Sequence, residues 1–123
     1  MPSLNYSTVG SNDIGKAKAF YDQLLGSIGW MTAMDLPTGS RIYSDGASMF
    51  GLMRPFDGQV ASVGNGSMIG FLFDSGEAVA QFHAKAISLG ATNDGDPGER
   101  APGAHFGYFR DLDGNKLCAY KLG

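Results

Sequence analysis

The chain has 123 residues, 43% of them hydrophobic and 17% charged, with a formal net charge of −3. That is the composition of one ordinary globular domain able to bury a core without a disulfide or metal staple, and it excludes a disordered chain. The acidic balance, with no run of Lys or Arg, argues against a nucleic-acid partner.

"MPSLNYSTVG" is too polar for a signal peptide and no apolar run reaches membrane-spanning length, so no membrane partner is expected. A single cysteine, Cys118, cannot form an internal disulfide, which makes a cytoplasmic location the expectation. Nineteen glycines, about twice the average share, point to short strands joined by tight turns.

In chain order, Leu4 to Gly10 reads as a strand. Either Asn12 or Asp13 can then cap a helix, whose stripe is Ile14, Ala17, Phe20, Tyr21, Leu24, Leu25 and Ile28. Gly26 and Gly29 end it. "WMTAMDL", "SRIYSD" and "ASMFGLM" read as three strands, the last two joined at Asp45-Gly46. Residues 55–65 read as a linker. "SMIGFLFD" is the next strand. Asp74 with Glu77 has the pattern of a capping box, and Val79, Phe82, Ala86 and Leu89 form the second stripe, ended by Gly90. His83 falls off that stripe and reads as a solvated residue. A loop over 92–104 precedes two closing strands, "HFGYFRD" and "NKLCAY", around Asp113-Gly114.

The halves match. Tyr6 and Met68 lie 62 residues apart, as do Phe20 and Phe82, while "DGASMF" parallels "DGNKLC" at an offset of 68. This makes Phe50 the counterpart of Cys118. The expected architecture is α+β: one domain over 1–123, with a first βαβββ module at 1–54 and a second at 66–123. Together they would form a curved, cleft-bearing mixed sheet with helices on the outer face. Strand alternation puts Lys116, Cys118 and Tyr120 on one side. Pseudo-symmetry then assigns Tyr6, Phe50, Met68 and Cys118 to the cleft.

The duplicated unit, with "FYDQLLGSIG" after the first strand and the "RDLDGNKL" hairpin, resembles the vicinal oxygen chelate superfamily. This is the group of glyoxalase I, bleomycin- and fosfomycin-resistance proteins and extradiol dioxygenases. The middle of the chain looks like a bacterial glyoxalase-like subgroup. The resemblance implies the paired βαβββ fold, a homodimer, and in metal-dependent members a divalent ion held by imidazoles and carboxylates in the cleft. Here those positions align with Tyr6, Met68, Cys118 and, by the repeat, Phe50 or a residue or two later. Such groups do not suit a hard octahedral ion, so no metal ligands and no cofactor are assigned, and a divalent metal is disfavoured.

The expected function is therefore binding of a small, partly apolar molecule in the cleft without a metal, with Arg54 at its mouth as a clamp for an anion. The alternative is an enzyme of lyase or ring-cleaving dioxygenase type, or one using metal-free acid–base chemistry by His105 and Glu99. Cys118 reads as a lining residue rather than a nucleophile, because nothing in the pattern supplies a base.

Overall fold

The computed structural model describes residues 1–123. The chain divides into two compact units, Met1–Ser62 and Val63–Gly123, so the division falls within 55–65. Each unit is one βαβββ module with its own four-stranded mixed sheet. No helix is long and apolar enough to cross a membrane.

The first unit runs β1 (Tyr6–Gly10), α1 (Ile14–Gly26), β2 (Met31–Asp35), β3 (Arg41–Ser44) and β4 (Met49–Met53). Its strand order is β1-β4-β3-β2, with β1 parallel to β4 and the other pairs antiparallel. Asp13 caps α1 by accepting from Lys16 N. Asn12 is not the cap, because its amide is bonded both ways to the backbone of Ala61, at 2.7 and 3.0 Å. Ala17, Phe20, Tyr21, Leu24 and Leu25 are buried, and Tyr21 packs 5.0 Å from Phe50 and 6.4 Å from Tyr43, centroid to centroid. Arg41 ties the outer strands to the helix through Asp22 (3.0 Å) and Asp35 (2.7 Å), and the buried Tyr43 hydroxyl donates to Asp22.

The second unit repeats the plan with β5 (Ile69–Leu72), α2 (Gly76–Ser88), β6 (Thr92–Ala101), β7 (Ala104–Arg110) and β8 (Lys116–Lys121), in the order β5-β8-β7-β6. Here β5 is parallel to β8. The core is aromatic: Phe82 of α2 lies 5.5 Å from Phe71, 5.1 Å from Phe73 and 6.0 Å from Phe109.

Three expectations are corrected in this unit. The cap of α2 is Ser75, not Asp74; its hydroxyl accepts from Ala78 N. His83 is buried, not solvated, with Nε2 3.0 Å from both Asn93 Oδ1 and the Tyr108 carbonyl. Both partners accept, so Nε2 carries the proton. The segment 92–104 is largely strand: β6 pairs with β7 from Thr92 to Ala101 with three register irregularities, which accommodate its glycines and Pro97.

Candidate functional site

Residues directly opposite each other on neighbouring strands share a face of the sheet, so the registers assign every strand residue to the helix side or the helix-free side. In the first unit Phe50 and Tyr43 are partners on the helix side. Tyr6, Met49, Ser44 and Met31 form one helix-free row, and Thr8, Gly51, Ile42 and Met34 form another. The irregularity between Thr32 and Met34 brings both methionines of β2 onto that face. It is a neutral surface of thioethers and hydroxyls. Tyr6, Met31, Met34 and Met49 are exposed there.

The helix-free face of the second unit differs in chemistry. Phe106 lies opposite Tyr120, and Tyr108 opposite Cys118. The rings of Tyr120, Phe106 and Tyr108 stand parallel in a row, with centroids 5.6 and 6.0 Å apart and planes within 11° and 8° of each other. Two glycines allow this. A Cβ at residue 70 would lie 3.0 Å from Tyr120 Cε1 and 3.1 Å from Cys118 Sγ, and one at residue 95 would lie 2.7 Å from Tyr108 Cδ2.

Cations surround the Tyr108 end. Lys116 Nζ is 5.0 Å and Arg100 Cζ 5.8 Å from the Tyr108 centroid, within cation–π range. Asp94 Oδ2 receives both Arg110 Nε (3.1 Å) and Lys116 Nζ (3.2 Å). The hydrogen bond from Lys116 holds the Asp94 carboxyl below its usual range, with desolvation opposing and the two positive charges adding to the effect.

Cys118 sits beneath this row, 1% exposed. Burial pushes its thiol up to about 11, against the opposing charge of Lys116. A thiol so placed is protonated at neutral pH and is a poor nucleophile.

The four residues assigned to a cleft by the repeat, and Arg54 at its mouth, are each placed within their own unit. Tyr6 is on the helix-free face of the first unit. Phe50 is not: it is 1% exposed and packed against Tyr21. The counterpart of Cys118 is Gly51, since Cys118 pairs with Gly70 as Gly51 pairs with Thr8. Arg54 is exposed and lies beside Gly39, where a Cβ would meet its Nε at 3.3 Å and Ile14 Cγ2 at 3.9 Å, near the start of α1. Met68 is exposed one residue before β5.

His105 and Glu99 are cross-strand partners, as a cooperating pair requires. They lie away from the aromatic row. The His105 ring packs against α2, where a Cβ on Gly76 would fall 2.6 Å from its Cδ2, and its Nδ1 is buried without a hydrogen bond. Glu99 accepts from Gly103 N at 3.0 Å.

No group of three or more His, Cys, Asp or Glu residues is placed to hold a metal. The donor chemistry agrees: the positions matching the ligand set of metal-dependent relatives hold Tyr6, Gly51, Met68 and Cys118, which offer no imidazole and no carboxylate. A hard divalent ion does not fit this set.

The sequence pattern missed Phe106, Arg100, Arg110 and Asp94. The signal for the first was present in "HFGYFR", where Phe106 and Tyr108 alternate with Gly107 and the core residue Phe109. Arg100 and Asp94 were obscured because their strand is rich in glycine and charge.

The model of the Glyoxalase/Bleomycin resistance protein/Dioxygenase superfamily matches residues 3–119. Among solved structures, a glyoxalase/bleomycin resistance protein from Albidiferax ferrireducens T118 is 38% identical, with 98% of each chain covered and a TM-score of 0.88. A lactoylglutathione lyase from Agrobacterium tumefaciens is 18% identical, with 98% of this chain and 94% of that one covered and a TM-score of 0.76. A fosfomycin resistance protein from Listeria monocytogenes is also 18% identical, with 100% and 95% covered and a TM-score of 0.75. The latter two likenesses carry the fold alone. No curated protein matches the sequence.

Proposed function

Because this chain belongs to the glyoxalase/bleomycin resistance protein/dioxygenase superfamily, we propose that it binds a small, planar, partly apolar molecule on the helix-free face of its second module, without a metal. The observation that carries the reading is the parallel row of Tyr120, Phe106 and Tyr108. Half-buried rings offer a large apolar contact area at low entropic cost, and each aromatic contact adds about 0.5–1.5 kcal/mol beyond area burial. Cys118 below the row contributes a protonated thiol, a small apolar floor rather than a ligand.

The alternative, metal-free acid–base catalysis by His105 and Glu99, has weaker support. His105 packs on the helix side of β7 and Phe106 projects from the other, so the pair does not face a molecule held on the row. The Glu99 carboxylate is also engaged by a backbone N–H.

The test is a titration of the uncharged planar probe naphthalene-2-carboxamide into protein labelled for NMR, after dialysis against EDTA. Shifts should centre on Phe106, Tyr108 and Tyr120. Tyr108→Ala should weaken binding by about five- to tenfold, from the loss of one aromatic contact, with the urea midpoint measured alongside to verify folding. Binding that disappears after EDTA and returns with one equivalent of Zn²⁺ or Mn²⁺ would overturn the metal-free reading.

A further inference from the structure

We infer that this face selects for anions: its ligand class is a flat aromatic carboxylate, whose ring lies on the Tyr120–Phe106–Tyr108 row and whose carboxylate meets Lys116, Arg100 and Arg110. The inference rests on the ring-binding reading above and adds the charge of the ligand.

Three cations gather at the Tyr108 end of the row. Lys116 and Arg110 share a single oxygen of a single carboxylate, Asp94 Oδ2, at 3.2 and 3.1 Å. Arg110 spends a further N–H on the Gly114 carbonyl at 3.1 Å. The Arg100 guanidinium lies over Tyr108, and its Nη2 donates to the Asp96 carbonyl at 2.7 Å. Two of the three positive charges thus share one carboxylate oxygen, and the third lies over the ring. The Asp96 side chain is turned away to Asn93 Nδ2, at 2.6 Å, in the network that holds His83.

A cluster of cations beside aromatic rings attracts an oxyanion, and guanidinium and ammonium donors bind carboxylates through charge-assisted bonds. The matching face of the first unit makes the contrast. Its strand residues, Tyr6, Thr8, Ile42, Ser44, Gly51 and four methionines, include no charged side chain. The cation cluster therefore does not come with the fold.

Asp94 has a specific role in this arrangement. It occupies the anion position in the free protein, keeping Lys116 and Arg110 beside Tyr108, and a ligand carboxylate competes with it. Removing its charge should strengthen binding of an anionic ligand relative to that of a neutral one.

The experiment compares 2-naphthoate with naphthalene-2-carboxamide, which has the same ring system and no charge, by NMR titration of the intact protein. Wild type should bind naphthoate about tenfold tighter than the amide, and the ratio should narrow at about 0.5 M salt. In D94N the ratio should widen by about threefold or more. In the double variant R100Q/K116Q it should fall towards one, with naphthoate losing more affinity than the amide. If amide and naphthoate bind wild type equally, the anion inference falls and the ring-binding reading stands. If neither binds, both fall. If D94N lowers the ratio, the role given to Asp94 is wrong.

Discussion

The surroundings of Cys118 should keep its thiol unreactive in the folded protein. The residue is 1% exposed and burial raises its pKa from 9.0 to about 11, with Lys116 only partly offsetting the effect. Below both values each unit lowers the thiolate fraction tenfold, so at neutral pH the folded protein holds about a hundredfold less thiolate than the unfolded chain. Iodoacetamide labelling of native protein should therefore run at least a hundredfold slower than in denaturant, and burial slows it further. The same shift has a thermodynamic consequence. The folded state keeps its proton where the unfolded chain has released it, so stability is unaffected below about pH 9 and falls as pH rises towards 11. The loss is on the order of 1–3 kcal/mol. Cys118→Ala isolates the thiol: its urea midpoint should fall less between about pH 8 and pH 10.5 than that of wild type. Native labelling within tenfold of the denatured rate would refute the reasoning, as would identical alkaline behaviour of the two proteins.

Two further predictions concern packing. Phe50→Ala should cost about 3–5 kcal/mol by urea denaturation, because it empties the space against Tyr21, and Phe50→Leu should cost less while leaving affinity for naphthalene-2-carboxamide unchanged. A Phe50→Ala cost below about 1 kcal/mol with lost binding would return Phe50 to the binding face. Gly76→Ala should destabilise the wild type, since the new Cβ meets His105 Cδ2 at 2.6 Å, yet be neutral or stabilising in a His105→Ala background, where a helical Ala replaces Gly without the clash. Equal effects in the two backgrounds would show that the His105 ring does not occupy that notch.

Much of the fold was legible because helical periodicity is robust to small errors. Ala17, Phe20, Tyr21, Leu24 and Leu25 are the buried residues of α1, and Val79, Phe82 and Ala86 are buried on α2; misplacing the second cap by one residue, Asp74 for Ser75, changed none of them. A strand has no such tolerance, since a slip of one residue exchanges its faces. Aligning Asp45-Gly46 with Asp113-Gly114 made that slip and put Phe50 in the place of Gly51. The hydrogen bonds indicate the better match. Asp45 accepts from Ala47 N and Ser48 N, and Asp111, not Asp113, does the corresponding work by accepting from Asp113 N and Asn115 N. The turns differ in length although their dipeptides are identical. His83 escaped the pattern for another reason: a histidine can be buried where a carbonyl and an amide oxygen both take its N–H, and no periodicity reports such partners.

The duplication also limits what resemblance can say about chemistry. The two helix-free faces come from the same plan, with Gly51 standing where Cys118 stands, Ile42 where Tyr108 stands and Thr8 where Gly70 stands. Backbone pairing is preserved across the copies and the side chains are not. One face carries thioethers, hydroxyls and no charge. The other carries a row of aromatic rings and three cations, two of them paired with Asp94. If the fold alone determined the ligand, the faces would be chemically alike. On the proposed reading, selectivity resides in the substitutions that separate them, above all in the cations around Tyr108. Transplanting charge onto the first face, for example with Ile42→Lys, should not create naphthoate binding there, because the Tyr6 ring two strands away stands alone, with no parallel row beside residue 42 to hold the ligand against the new cation.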